Sequence, residues 1–175
     1  MAKRISLSLF GLLFMLGQAA EAAPIQEYEL KTAYLYNFAL FTSWPADLPP
    51  ELGDTMAICT LGQDQFGPTL EQLQGRKIRE KRLVVRRGVN LEEALSCHVV
   101  YIAASEQENM DKVYETLRNS SVLTVSESSK ASPIKSVINM AIDKKRLVFE
   151  VNLAAATQAR LVMSSKLLHL AKRVY

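Results

Sequence analysis

The sequence predicts an α/β protein: a three-layer α/β/α sandwich with a mostly parallel central sheet and a C-terminal antiparallel hairpin. Three observations carry this. Short apolar runs with β-branched centres recur at 55–61, 82–86, 98–103 and 121–125, and strands that are apolar at nearly every position belong to sheets buried on both faces. Segments with helical spacing separate several of these runs, and strand–helix alternation argues for parallel strands with helices on both faces. The last two runs, 137–142 and 146–151, are joined only by Asp143, Lys144 and Lys145, and so short a link makes an antiparallel hairpin.

Taken in order, residues 26–43 are expected to form a helix. Tyr28, Leu35, Phe38 and Thr42 share a stripe that Leu30, Tyr34 and Phe41 widen, so its second half should be buried on most sides. Trp44-Pro45 stops it, because proline disfavours helical geometry in the residue before it. Residues 46–54 contain Pro49, Pro50 and Gly53 and form a loop. The run 55–61 is the first strand, ended by Gly62. Residues 65–74 carry Phe66, Leu70 and Leu73 at helical spacing, and Gly75 is their C-cap. Residues 82–86 are the second strand, 91–95 a short helix or turn, and 98–103 the third strand. Ser105 with Glu108 three residues on makes a capping box for a helix bearing Met110, Val113, Tyr114 and Leu117. Residues 121–125 are the fourth strand. After the hairpin, Asn152 caps a helix through Ala159. Ser164 or Ser165 opens a last helix with Leu167, Leu168, Leu170 and Ala171 on its buried side. Lys172 and Arg173 end it, where positive charge suits the helix dipole.

The first residues assign a compartment. Lys3 and Arg4 precede an apolar run from Ile5 to Leu16, and small residues follow as far as Ala22. This is the three-part pattern of a secretory signal peptide, and the run is shorter than the ~20 residues a membrane helix wants. The expected division is a signal peptide at 1–22, cut after Ala22, and a single domain at 23–175. Removing the signal leaves 19 basic and 17 acidic residues, a charge of +2, too mild a balance to argue for nucleic acid. A content of 49% apolar and 22% charged residues is that of a globular chain. An exported chain with two cysteines invites a disulfide.

Four features could carry chemistry or contact. Cys97 and His98 are adjacent, as a reactive thiol beside its base, but adjacent strand side chains point to opposite faces, so His98 cannot easily serve Cys97. A metal site from Cys59, Cys97, His98 and His169 lacks a short ligand spacing. The preferred alternative is a Cys59–Cys97 disulfide between the first and third strands, closing a loop of about 38 residues. The run 76–87 holds seven Lys or Arg and one Glu. It is either a solvated, aggregation-blocking edge, a polyanion or lipid-headgroup site, or a surface for an acidic partner. The first helix is dense in aromatics, a stripe whose ordinary reading is core, and members that face outward suggest a partner surface. Tyr36, Phe41, Trp44, Arg86 and Arg87 are the candidates for such a surface. Finally, a sheet of this class offers a ligand crevice at the carboxyl ends of its strands, lined here by Gly62-Gln63-Asp64 and Ser126-Glu127-Ser128-Ser129, and the alternative function it suggests is a periplasmic small-molecule-binding sensor or carrier. No Gly-x-Ser-x-Gly, phosphate-gripping glycine loop or paired helical histidines are present, so no cofactor or catalytic residue is expected.

The stretches KTAYLYNFALFTSWP, ICTLG, CHVVYI, VLTVSES and RLVFEVNLAAATQARLVMSSKLLHLAKRV, in this order, resemble YfiR-like proteins. The resemblance covers nearly all of the expected mature chain. It implies a periplasmic, non-enzymatic α/β/α regulator that represses a membrane-bound diguanylate cyclase through that enzyme's periplasmic domain. It further implies relief by an outer-membrane OmpA-like lipoprotein, with cyclic di-GMP, biofilm and motility as the output; a homodimer is a further expected assembly. Cys59 and Cys97 match the family's cysteine positions. A second cysteine pair found in some members is missing here, since 135–151 contains no cysteine.

Overall fold

The computed structural model describes residues 22–47, 53–127 and 135–175. Helix α1 (Ala22–Phe41) leads into a two-residue strand β1 (Thr42–Ser43), then β2 (Thr55–Leu61), β3 (Lys77–Ile78), β4 (Lys81–Val89), α2 (Leu91–Ala94) and β5 (Val99–Ile102). Next come α3 (Met110–Leu117), β6 (Leu123–Glu127), β7 (Ile138–Asp143), β8 (Arg146–Val151), α4 (Leu153–Gln158), β9 (Val162–Met163), α5 (Ser165–Leu170) and β10 (Arg173–Val174). Eight strands form one sheet in the order β10-β8-β7-β6-β5-β2-β4-β3. The pairs from β4 to β7 run parallel, β7–β8 is an antiparallel hairpin and β3–β4 a second one at the opposite end. β1 and β9 form a separate antiparallel pair.

Alternation along the central strands sends side chains into two cores. On β2, Met56 and Ile58 join the larger cluster, beneath α1, while Ala57, Cys59 and Leu61 join the smaller one, beneath α2 and α3. On β5, Val99 and Tyr101 face the first and Val100 and Ile102 the second. Leu35 and Phe38 of α1 are fully buried, with Phe38 edge-on to Phe149 of β8 at 5.0 Å. Ala156 of α4 and Leu167 of α5 lie in the same cluster. This is the expected three-layer arrangement. Apolar burial on both faces, at about 25 cal/mol per Å², is what holds the layers together.

The cysteines sit where the strand order brings them together. β2 and β5 are direct neighbours, and Cys59 and Cys97 are bonded across them, with Cα atoms 6.2 Å apart and 38 residues between them in sequence.

Several local expectations are corrected. The helix expected at 65–74 shrinks to a 3-10 turn at Leu70–Leu73. Pro68 disfavours helical geometry at Gly67, which takes a positive φ of 56°. Ser105 does not cap a helix: its Oγ accepts the Gln63 N–H at 2.8 Å, and a 3-10 segment, Ala104–Asn109, precedes α3. The second strand begins earlier and folds back as a hairpin, with Arg79 at φ 53° in its turn. Leu30 and Leu170 are exposed, at 46% and 70%, not on buried stripes. The chain leaves α5 at Ala171 because Arg173–Val174 pairs with β8, which sequence pattern did not foretell. Asn152 caps α4 as expected, accepting the Ala155 N–H, and Ser164 caps α5 by accepting that of Leu167. The 1–22 signal segment lies outside the described residues except for Ala22.

Thiol counting on the oxidised protein should give no free thiol before reduction and two after. Reduction should lower stability by about 3–4 kcal/mol, read as a shift of the denaturation midpoint. An unchanged midpoint would mean that the bridge constrains nothing.

A candidate partner-binding surface

The pair that first suggests chemistry, Cys97 and His98, does none as a thiol and base. Both cysteines are in the disulfide, so there is no thiolate for the histidine to raise. His98 is 1% exposed and turned to the other side. Its Nδ1 accepts the Ala57 N–H at 3.1 Å, and its ring meets Trp44 edge-on at 5.6 Å between centroids. Burial, helped by the charge of Lys81, lowers its pKa to about 4, so the ring is neutral at ordinary pH. Among the described residues no group of three or more His, Cys, Asp or Glu side chains could hold a metal.

The carboxyl ends of the strands, where a ligand crevice is expected, are filled by the protein's own charges. Lys31 of α1 is 1% exposed and bonds Glu27 at 2.6 Å and Glu127 of β6 at 2.5 Å. Burial alone would push Lys31 down, but the two carboxylates outweigh it and raise it above the lysine range. Glu127 also accepts from the Tyr101 hydroxyl at 2.9 Å; burial, with Glu127 beside it, pushes that phenol far up. Across the same end, Asp64 accepts from Thr60 and from Arg87, at 2.6 and 2.5 Å. Burial opposes ionisation there, yet Arg87, Thr60 and the Phe66 N–H hold its carboxyl below the usual range. A Cβ on Gly62 would stand 2.5 Å from Ser105 Oγ, so the turn is closed against its neighbour. Of the expected second crevice turn only Ser126 and Glu127 are described, and Ser126 bonds Ser136 at 2.8 Å. Lys31 lies off the apolar stripe of α1, and the local signal of its pairing is its i,i+4 spacing from Glu27.

The basic run forms the β3–β4 edge of the sheet. Arg76 lies over the Tyr36 ring at 4.6 Å, and the Tyr36 hydroxyl donates to the Lys77 carbonyl. Arg79 reaches the carbonyls of Leu40 and Thr42 at the end of α1, where cations meet the negative end of a helix dipole. Arg86 and Arg87 are adjacent and point to opposite faces: Arg86 bonds Ser96 after α2, Arg87 bonds Asp64. Phe41 is half-buried against the larger core and Trp44 rests on His98. The five candidate surface residues are thus spread over both faces. Tyr36 shares the β3–β4 edge with exposed Arg76 and Lys77, neither of which forms an ion pair with a described carboxylate. A small hollow between α3 and α4, about 30 Å³ and lined by Leu117, Val137 and Gln158 among others, has room for little more than water.

His98 makes stability acid-sensitive. A histidine whose folded pKa lies below its unfolded value binds a proton on unfolding, so stability is full above about 6.5 and falls as pH drops toward 4. The loss should be a few kcal/mol over that window and should be largely absent in His98→Gln; parallel stability–pH curves for the two proteins would refute it.

Comparison with known proteins fits this architecture. A conserved domain protein from Vibrio cholerae O1 biovar El Tor has a similar fold, with a TM-score of 0.52 at 7% identity, over 85% of this chain and 60% of that one. An ABC domain from Streptococcus pneumoniae, solved in complex with L-Trp, aligns with a TM-score of 0.47 at 9% identity, over 69% of this chain and 55% of that one. The chain therefore spans about 55–60% of the length of these structures. At such identities the first shows likeness of fold alone. No helix of the described residues is long and apolar enough to cross a membrane. The YfiR/HmsC-like family model matches residues 28–172, from the first turns of α1 to the approach of β10. The chain belongs to the YfiR/HmsC-like family, a family of periplasmic, non-catalytic regulators in cyclic di-GMP signalling.

Proposed function

We propose that this protein is exported with cleavage after Ala22 and that residues 23–175 fold as one regulatory domain. It binds the periplasmic domain of an inner-membrane diguanylate cyclase and represses it, lowering cyclic di-GMP. The family match over 28–172 carries this proposal. The β3–β4 edge is the docking surface we assign to it. Arg76 and Lys77 stand exposed beside Tyr36, and cations that pair with no described carboxylate suit an acidic partner in both encounter rate and specificity. Of the candidate surface residues we assign Tyr36 to its centre and give Phe41, Trp44, Arg86 and Arg87 no central part in it. An outer-membrane OmpA-like lipoprotein is the partner that would release the cyclase by competing for the repressor.

Deleting the gene should raise cyclic di-GMP, and the purified domain should bind the cyclase's periplasmic domain. Arg76→Glu with Lys77→Glu should weaken that binding about tenfold or more, with an unchanged melting temperature. An unchanged cyclic di-GMP level, with no binding to any cyclase periplasmic domain, would overturn the proposal. Binding that the double charge reversal leaves intact would overturn the assigned surface alone.

A further inference from the structure

Three buried polar atoms of the described residues have no hydrogen-bond partner: Thr42 Oγ1, Trp44 Nε1 and His98 Nε2. They belong to one neighbourhood. The Trp44 and His98 rings are in edge-on contact, and Thr42 lies two residues before Trp44 on the extended exit from α1. Buried polar atoms are nearly always paired, because one left alone loses its bonds to water and gains none in return. Two of them in touching rings, with the third two residues along the chain, call for an occupant.

The chemistry of that occupant follows from which atoms carry hydrogens. His98 Nδ1 accepts the Ala57 N–H, so the proton of the neutral ring is on Nε2. The indole N–H of Trp44 is a donor only. Two donors cannot satisfy each other, and the Thr42 hydroxyl can add a third. The missing partner is an acceptor. Its surroundings are cationic: Arg79 is bonded to the Thr42 carbonyl at 3.4 Å, and Lys81, held by the Gly53 carbonyl, acts on the His98 ring through its charge. Positive charge beside N–H donors favours an anionic acceptor, since charge-assisted hydrogen bonds are the stronger ones. A carboxylate, with two oxygens, can serve both N–H groups at once.

We propose that the Thr42–Trp44–His98 corner, at the amino ends of β2 and β5, is a binding site for the carboxylate of a small organic acid. The acid enters along the partly exposed Trp44 ring. This site is at the opposite end of the sheet from the Lys31 and Asp64 ion pairs, and it does not depend on the cyclase proposal.

Trp44 is the chain's only tryptophan, so the protein has a single indole N–H resonance. With the oxidised, ¹⁵N-labelled mature domain, sodium acetate and sodium succinate should move that resonance saturably, while sodium chloride at equal ionic strength should not. Lys81→Gln, which removes a charge but no buried contact of the two rings, should weaken the effect about tenfold, whereas Lys172→Gln on the far edge should leave it unchanged. Loss of the saturable response in His98→Gln, in protein that keeps its melting transition, would agree with the site. An indole resonance that ignores both acids, moves equally with chloride, or shows a persistent contact to water that the acids do not displace would overturn it.

Discussion

The fold rests on one constraint: β2 and β5 are apolar on both faces and must be covered on both. A strand with Met56 and Ile58 on one side and Ala57, Cys59 and Leu61 on the other has no face to give to water. Helices before and between the strands supply the cover. α1 brings aromatic bulk to one face, and α2 with α3 brings smaller side chains to the other. The two cores differ accordingly. The larger packs phenyl and phenol rings edge-on, as Phe66 and Tyr101 do at 4.8 Å, and the smaller holds the Cys59–Cys97 disulfide between neighbouring strand segments.

That constraint also explains where the polar groups had to go. Lys31 and His98 lie inside the apolar layers, and each is tolerated for a different reason. Lys31 stays charged because two carboxylates meet it, and a buried ion without such partners would be costly. His98 stays neutral because burial disfavours its charged form and the Lys81 cation adds to that, while its Nδ1 accepts a backbone N–H. The two ends of the sheet therefore have opposite characters, an ion-paired carboxyl end and an amino end with hydrogen-bond donors to spare.

The central architecture was legible in sequence because it is written in local pattern. The run Thr55–Leu61 emerges as a strand with its predicted bounds, and Asp143-Lys144-Lys145 announced its hairpin. Cys59 and Cys97 could be paired once export and neighbouring strands were both inferred. What was missed has no local signature. β10 exists only because β8 offers an open edge, and two residues cannot advertise a strand. Gly67-Pro68 did advertise a break in the 65–74 helix, but the apolar spacing of Phe66, Leu70 and Leu73 spoke more loudly. The burial of Lys31 depends on Glu127, 96 positions away, and side chains brought together over that distance are invisible to periodicity. The same holds for Trp44 and His98, whose contact turns a candidate surface aromatic into one wall of a corner.

The disulfide has a mechanical consequence. The chain between Cys59 and Cys97 comprises β3, β4 and α2, the segment that carries the whole basic edge. β4 is joined to the rest of the sheet by its hydrogen bonds to β2 alone, and parallel ladders peel one bond at a time. With both ends of the segment anchored to one covalent link at the centre of the sheet, a tug on that edge is borne as tension in a closed loop. Peeling can travel no further than the bridge. The bridge thereby keeps the basic edge attached to the centre of the sheet under load.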